Sequence, residues 1–306
     1  MRAIVTGGAG FIGSHIVDAL VAQGDEVVVV DHLSRGHTHN LAGALSRGVR
    51  LVRSDVTDLS AMVAACEAHR PDVIYHLAAQ IDVRRSVVDP LADVHANVGG
   101  TSAVLEAARL TGAHRVVLAS TAGVYGDPEQ LPTTEDAPLA PLSPYGASKA
   151  AAETYMALFS RLYGLSTVCL RMANVYGPRQ DPHGEAGVVA IFSGAASERR
   201  QATIFGDGTQ TRDYVYVGDV ARAFVVAGRS TVTGAINIST GAETSLLELA
   251  AVLALDTREA PGRQGEIQRS VLDPSRARRE LGWQSEVELS MGLAQTLDAV
   301  TPPLVA

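Results

Sequence analysis

The first half of the chain alternates short, continuous apolar runs with segments of helical periodicity. The apolar runs predict strands at 3–5, 27–30, 50–53, 73–77 and 116–118, and the helical segments lie at 13–22, 58–69 and 91–110. Strands whose apolar residues do not alternate are typical of a parallel sheet with both faces covered by helices. The alternation of strand and helix therefore predicts a doubly wound α/β sheet.

The pattern changes after about residue 120. Five prolines between 128 and 144 indicate an irregular loop, which is followed by a predicted helix at 145–163 and a strand at 167–170. Further on, proline, glycine and polar residues recur, as in a smaller α/β lobe. We predict one domain at 1–171 with a returning segment around 213–235, and a C-terminal lobe at 172–212 and 236–306. Two lobes without a flexible linker usually hold a ligand between them. Trp283 is expected in the core or between the lobes.

Composition narrows the class of protein. The chain has 306 residues, 46% of them hydrophobic, which suffices for a large core. Lys and Arg total 25 against 33 Asp and Glu, so the net charge of −8 argues against a nucleic-acid partner. No apolar run approaches the ~18 residues of a spanning helix, and we expect no signal peptide and no membrane association. Cys66 and Cys169 lie far apart without metal-ligand spacing, which predicts no metal site and a reduced, cytoplasmic location.

A glycine-rich loop joins the first strand to the first helix. Gly7, Gly10 and Gly13 follow each other at three-residue spacing. Glycine there permits a tight turn, the approach of the backbone to a pyrophosphate, and close packing of helix on strand. The phosphates then lie at the positive end of the helix. Although a glycine triplet alone can be an ordinary turn, this context predicts a Rossmann-type dinucleotide site.

Acidic residues follow the next two strands. Asp31 closes the second strand, where a carboxylate can accept hydrogen bonds from a ribose diol and would repel a 2′-phosphate, so NAD is favoured over NADP. Arg35 is the residue that could weaken this preference. Asp55 and Val56 follow the third strand and are candidates for holding the adenine, with a solvated loop aspartate as the alternative for Asp55.

Tyr145 and Lys149 lie four residues apart, on one face of a predicted helix. A nearby ammonium and an oxidised nicotinamide would lower the phenol's pKa from its reference value near ~10, so that Tyr145 can take a proton from a sugar hydroxyl. Thr121 ends the fifth strand, where it can donate a hydrogen bond to the reacting oxygen. The alternatives are a surface pair for Tyr145 and Lys149, and a turn-capping hydroxyl for Thr121.

Several motifs together carry a family resemblance. They are Thr-Gly-Gly-Ala-Gly-Phe-Ile-Gly at 6–13, His-Leu-Ala-Ala-Gln at 76–80, Ser-Pro-Tyr-Gly-Ala-Ser-Lys at 143–149, Asn-Val-Tyr-Gly-Pro-Arg-Gln at 174–180 and Phe-Gly-Asp-Gly-Thr-Gln-Thr-Arg-Asp-Tyr at 205–214. Over nearly its whole length the chain resembles the extended short-chain dehydrogenase/reductase family, in its NAD-dependent nucleotide-sugar epimerase branch. Arg-Gln-Gly-Glu at 263–266 is similar to the family's Arg-Pro-Gly-Glu motif, with Gln264 replacing proline.

The resemblance implies roles for individual positions. Tyr145 would be the catalytic base, Lys149 its partner and a ligand of the nicotinamide ribose, and Thr121 the assisting hydroxyl. The further cofactor contacts would be Phe11, Ile12, Leu77, Ala78, Ala79, Gln80 and Asn97, the last near the adenine side. Substrate contacts would be Asn174, Arg84, Arg212, Arg263, Glu266 and Ser270. Two arginines suit a diphosphate, although each can equally form a salt bridge.

The residues after Thr121 bear on the reaction. Related dehydratases and decarboxylases typically carry an acid there, whereas this chain has Ala122 and Gly123. The resemblance therefore implies 4-epimerisation of UDP-glucose and UDP-galactose through a 4-keto sugar. Asp181 stands where uronate epimerases tend to carry arginine, but Arg179 and Arg84 keep a UDP-glucuronate 4-epimerase open as the alternative.

The sequence leaves more than one possibility for the range of sugars, the type of reaction and the assembly. Ser270 is small and would admit N-acetylated sugars. A reductase or dehydratase of the same fold, or an NAD-binding regulator, also remains open, although the regulator is disfavoured because Thr121, Tyr145 and Lys149 are all present. Pairing of the helices at 91–110 and 145–163 between subunits predicts a homodimer.

Overall fold

The structure is a computed structural model that describes residues 1–181, 187–262 and 267–300. Seven of its strands, all parallel, form a central sheet, and the other strands form small separate sheets. The strands are β1 (Arg2–Thr6), β2 (Glu26–Val30), β3 (Arg50–Val52), β4 (Val73–His76), β5 (Arg115–Thr121), β6 (Ser166–Met172), β7 (Asn174–Tyr176), β8 (Ala202–Phe205), β9 (Thr211–Arg212), β10 (Tyr214–Tyr216), β11 (Gly234–Ile238), β12 (Thr244–Ser245), β13 (Thr257–Ala260) and β14 (Arg269–Ser270). The helices are α1 (Phe11–Ala22), α2 (Ala42–Leu45), α3 (Leu59–His69), α4 (Val83–Val88), α5 (Pro90–Val94), α6 (Gly100–Thr111), α7 (Pro144–Tyr163), α8 (Val188–Ser197), α9 (Val217–Arg229), α10 (Leu246–Val252) and α11 (Leu289–Val300).

The strand order confirms the predicted fold class. The sheet runs β11-β6-β5-β4-β1-β2-β3, and β1 pairs in parallel with both β2 and β4. Chain connections therefore leave β1 in opposite directions, and the crevice at the carboxyl ends of β1 and β4 is the place where such sheets bind ligands. The predicted strands are all present, with ends that differ by a few residues.

The edge strand β11 was not predicted. It pairs with β6 from Gly234 to Ile238, so the predicted lobe boundary at 235 falls inside a strand of the central sheet. The remaining division of the chain into two lobes stays a prediction.

Helices cover both faces of the sheet. On one face, α1 and α9 bury residues such as Ile16, Leu20 and Phe224, while the other face is covered by α3, α6 and α7. Trp283 is buried in the core on the face covered by α1 and α9, and its indole Nε1 donates to the carbonyl oxygen of Asp219 at 2.9 Å. The prediction that Trp283 is a core residue is confirmed.

The predicted helix at 91–110 is not a regular α-helix. It begins at Pro90 and is interrupted by a π-helical turn at His95–Gly99, between α5 and α6. Thr101 donates its hydroxyl hydrogen to the Asn97 carbonyl oxygen at 2.6 Å, which provides a partner for a carbonyl within the widened turn. π-turns of this kind are frequent at functional sites.

The segments after β6 add three small sheets, β10-β7, β12-β9-β14 and β13-β8, packed with α8, α10 and α11. In the second of these, Arg212 of β9 pairs in register with Ser270 of β14. Two predicted substrate residues therefore lie side by side. Among the described residues, no helix is both long and apolar enough to cross a membrane.

Candidate active site

Glycine is required at two positions of the loop between β1 and α1. Gly7 has a φ of +68°, and a Cβ on it would lie 2.6 Å from the backbone nitrogen of Ala78. A Cβ on Gly13 would lie 2.2 Å from the carbonyl oxygen of Gly7. The backbone around Gly10, Phe11 and Ile12 therefore closes tightly at the start of α1, where backbone N–H groups and the helix dipole favour a phosphate.

Asp31 lies beside this loop, at the end of β2, and is 6% exposed. Its Oδ2 accepts from the Ala9 N–H at 3.0 Å and its Oδ1 from the Leu33 N–H at 2.8 Å. Each carboxylate oxygen can accept a second hydrogen bond, so this oriented carboxylate fits a ribose diol. Arg35 forms an ion pair with Asp82 at 3.0 Å.

Asp55 is exposed and closes its own turn. Its Oδ1 accepts from both the backbone N–H and the hydroxyl of Thr57, each at 2.9 Å. Partial burial raises the pKa of Asp55, but these two hydrogen bonds outweigh it and hold the pKa below its usual value. Val56 is buried against Gly100. A contact of either residue with adenine stays a prediction.

Asn97 holds the loop that follows β4. Its Oδ1 accepts from the Gln80 N–H at 2.8 Å, and its Nδ2 donates to the Gln80 carbonyl oxygen at 3.0 Å and to Ser148 Oγ at 2.9 Å. The start of the same loop is fixed by β1, since Leu77 and Ala78 donate to Thr6. The Asn97 amide therefore contacts Ser148, the residue before Lys149, and Ala79 lies in the loop that Asn97 positions. The position of Asn97 near the adenine side of NAD stays a prediction.

Thr121, Tyr145 and Lys149 come together where β5 ends and α7 begins. The Thr121 side chain lies close enough to the Tyr145 hydroxyl to lower the pKa of the phenol, and Thr121 Oγ1 accepts from the Gly123 N–H at 3.1 Å. Thr121 is thus both a turn cap and a neighbour of the phenol. Lys149 is 3% exposed, and its Nζ donates to the Ala119 carbonyl oxygen at 3.1 Å.

The pKa values of this pair differ from the sequence expectation. Burial raises the pKa of Tyr145 to about 12, against the lowering effect of the Thr121 side chain. Burial lowers the pKa of Lys149 to about 8. The protein's own groups therefore keep the phenol protonated, because desolvation of the phenolate outweighs its stabilisation. The positive charge of an oxidised nicotinamide acts in the opposite direction.

A cavity of about 380 Å³ opens beside this pair. Thr121 and Tyr145 line it together with Asn174, Arg212 and Ser270. The sequence did not point to other residues of its wall. Tyr214 ends the motif at 205–214 but was given no role, and the others lie outside the motifs: Ile81, Gly126, Met172, Val188 and Val189.

Not every predicted substrate residue is at this cavity. Arg84 lies on an exposed side of α4, outside the described lining, and Arg179 pairs with Asp18 of α1 at 2.7 Å. Arg263 and Glu266 lie outside the described residues. Within the described part of the chain, no group of three or more His, Cys, Asp or Glu side chains could hold a metal ion.

Comparison with known proteins gives the family. The model of the NAD dependent epimerase/dehydratase family matches residues 3–239. The chain belongs to this family. The resemblance stated from the sequence motifs is thereby confirmed, and NAD is its cofactor, which fits the glycine loop and the oriented carboxylate of Asp31.

Individual relatives match over almost the whole chain. The UDP-glucose 4-epimerase of Mycolicibacterium smegmatis is 50% identical over 97% of this chain and 98% of its own. The crystal structure of the UDP-glucose 4-epimerase of Thermotoga maritima with UDP-glucose has a TM-score of 0.93 at 41% identity and covers 98% of both chains. That of the Thermus thermophilus enzyme, in complex with NAD, has a TM-score of 0.91 at 42% identity and covers 99% of this chain and 100% of its own.

Proposed function

We propose that this chain is an NAD-dependent 4-epimerase that interconverts UDP-glucose and UDP-galactose. The observation that carries the proposal is the shared cavity, which is lined by Thr121 and Tyr145 together with Arg212 and Ser270. The relative that is 50% identical over nearly the full length of both chains supports the same substrate.

The chain's residues suit oxidation followed by reduction at one carbon. Tyr145, as phenolate, takes the proton of the sugar's C4 hydroxyl, while Thr121 hydrogen-bonds the reacting oxygen. The β1–α1 loop and Asp31 would hold NAD, which would supply the acceptor and donor for the hydride of C4, so that reduction of the 4-keto sugar from its opposite face would invert that carbon. Tyr145 then gives the proton back to O4. Ala122 and Gly123 line the cavity beside Thr121 and offer no acid or base for eliminating water.

The diphosphate is held away from the reacting carbon. Arg212 lines the cavity at the end of β9, and its guanidinium can bind phosphate oxygens through paired hydrogen bonds. We assign Arg263 to the same diphosphate and Glu266 to the ribose of the nucleotide on their motif alone. Holding the nucleotide while leaving the sugar free to turn is what epimerisation requires.

The test is NMR of the purified protein with UDP-glucose. We expect UDP-galactose to appear, and Tyr145→Phe to slow its appearance by about 10²–10⁴-fold, because the proton acceptor is lost. Leu142→Phe, at an exposed site close in sequence, should leave the rate unchanged. Loss of water or of carbon dioxide from the sugar would replace the proposal by a dehydratase or decarboxylase, and turnover of UDP-glucuronate alone would favour the uronate epimerase.

We further propose a cytoplasmic homodimer. Both cysteines are buried and unpaired, as in a reducing compartment. Large apolar side chains are exposed along the segment from α4 to α6 and on α7, where the helices of two subunits would pair: Val87, Val88, Leu91, Val94, Leu110, Tyr155, Leu162 and Tyr163. If these exposed apolar side chains form one patch, they match the kind of surface that is typical of interfaces, and the association state tests this.

A further inference from the structure

Asp93 of α5 is a buried carboxylate that hydrogen bonds through Asn97 connect to α7, the helix of Tyr145 and Lys149. It is 0% exposed, and its Oδ1 accepts from Gln80 Nε2 at 2.9 Å and from Asn97 Nδ2 at 3.2 Å. Its Oδ2 is buried without a hydrogen-bond partner. A carboxylate in this setting is costly unless an opposite charge lies near it.

Lys149 is a buried cation on α7 whose positive charge is opposite to that of the Asp93 carboxylate. It is the only lysine in the chain, it is almost completely buried, and its Nζ donates to a neutral carbonyl, that of Ala119. Burial lowers the pKa of Lys149, and Asp93 is the foremost of the groups that oppose this lowering, ahead of Cys169 and Glu153.

The other ionisable groups around Lys149 do not supply a free negative charge. Glu153, on the same helix, is paired with the buried guanidinium of Arg171 at 2.6 Å. Burial holds the pKa of the Cys169 thiol well above its usual value, so β6 contributes a neutral group. Burial lowers the pKa of His76 to about 3, so β4 also contributes a neutral group. Asp93 is therefore the remaining one of these groups that can supply a negative charge to Lys149.

Hydrogen bonds connect Asp93 to the catalytic helix. Asn97 Nδ2, which donates to Asp93, also donates to Ser148 Oγ at 2.9 Å, and Ser148 Oγ in turn donates to the Tyr145 carbonyl oxygen at 2.9 Å. The carboxylate is thus fixed relative to the first turn of α7, which carries both Tyr145 and Lys149.

We propose that Asp93 is the counter-ion of Lys149 and a positioning residue for proton transfer at Tyr145. Its negative charge keeps the buried ammonium protonated, and its Oδ1 holds Gln80 and Asn97 in place. The role in proton transfer rests on the proposed function, whereas the pairing of the two charges does not.

The sign of the effect follows from the charge. A carboxylate nearby stabilises an ammonium and destabilises a phenolate, so it raises the pKa of Lys149 and that of Tyr145. Replacement of Asp93 by asparagine, which has nearly the same shape, removes the charge and lowers both pKa values.

The pairing is tested by NMR of protein labelled with ¹³C-lysine, which gives one side-chain signal because the chain has one lysine. We expect Asp93→Asn to lower the pKa of Lys149 by about 1 unit or more. Glu106→Gln removes the same charge at a partly exposed site on α6 and should leave the titration unchanged. If Asp93→Asn does not fold, Asp93→Ser gives the same expectation. An unchanged Lys149 titration in the folded variant overturns the proposal.

The positioning role is tested by the pH profile of kcat/KM with UDP-glucose. In Asp93→Asn both limbs should move to lower pH, because the phenol and the ammonium both lose their protons more readily. A lower plateau with unmoved limbs would make Asp93 merely structural and overturn this role. If the wild-type protein does not epimerise UDP-glucose, the proposed function fails, while the NMR titration still decides the charge pairing.

Discussion

At the scale of single residues, burial decides which ionisable groups of the site carry charge. His76 is the last residue of β4, and its ring is held between the hydroxyls of Thr6 and Thr101, at 2.8 and 3.2 Å. Burial first, and the charge of Lys149 second, lower its pKa to about 3. A residue that must stay neutral in the folded protein makes stability depend on pH.

His76 should make the protein sensitive to mild acid. The unfolded histidine binds a proton near pH 6.5 and the folded one only near pH 3, so its contribution is complete above pH 6.5 and is lost as the pH falls towards 3. Between pH 7 and pH 5 this residue should lower the free energy of unfolding by about 2 kcal/mol. Urea denaturation at both pH values measures the difference.

His76→Gln should lose this part of the pH dependence, although its stability at pH 7 also falls because hydrogen bonds are lost. His114→Gln, at an exposed histidine, should keep the wild-type pH dependence. Equal slopes for the wild type and His76→Gln would contradict the prediction.

Ser270 bears on the choice of sugar. It lines the cavity next to Arg212, so a larger side chain there takes up room that an N-acetyl group would need. We expect Ser270→Tyr to lower kcat/KM for UDP-N-acetylglucosamine about tenfold or more relative to UDP-glucose. Kinetics on both substrates measure the ratio, and Ser290→Tyr, exposed on α11, is the matched control. An equal change in kcat/KM for both substrates would show that Ser270 does not contact the N-acetyl group.

At the scale of the element, the turn between β1 and α1 depends on the absence of side chains. A methyl group on Gly13 would collide with the backbone of Gly7 and Gly8, which cannot move without displacing the β1–α1 turn. By contrast, a methyl group on Gly43 in α2 meets nothing within 4 Å. These two glycines therefore form a matched pair.

Gly13→Ala should destabilise the protein by at least about 2 kcal/mol and abolish NAD binding. Gly43→Ala should raise stability by about 0.5–1 kcal/mol, because alanine restricts the unfolded chain and favours a helix. Thermal denaturation and NAD titration by fluorescence report both effects. Intact NAD affinity in Gly13→Ala would show that the turn does not hold the cofactor.

The sequence predicts the elements whose pattern is local. Continuous apolar runs mark the strands from β1 to β6, and the motif of Tyr145 and Lys149 marks the start of α7. β11 was missed because its five residues include the polar Asn237, whose side-chain amide is satisfied by groups distant in sequence: the carbonyls of Thr133 and Asp273 and the hydroxyl of Tyr125. Asp93 was missed because its burial depends on the packing of α5 against α7, which periodicity does not encode.

At the scale of the whole molecule, the helices α4 to α7 expose large apolar side chains, which a second subunit would cover. Val88 is 85% and Leu91 78% exposed, although both belong to well-formed helical segments. A second copy that covers these side chains would remove apolar surface from water at about 25 cal/mol per Å². A charge placed there should therefore separate the subunits.

Leu91→Glu should convert the proposed homodimer to a monomer in sedimentation equilibrium, with the fold unchanged by circular dichroism. Met291→Glu places the same charge at an exposed apolar site on α11 and should leave the dimer intact. A wild-type protein that sediments as a monomer would refute the assembly itself.

The position of β11 at the edge of the sheet also has a consequence for synthesis. β11 is the last of the seven strands to leave the ribosome, after β7 to β10 and α9 have been made. Until then the nascent chain displays β6 with an unpaired edge, and an open edge of this kind is a template for aggregation. A polypeptide cut after β6 would retain that edge permanently, so the nucleotide-binding half of this enzyme is not expected to be an excisable unit.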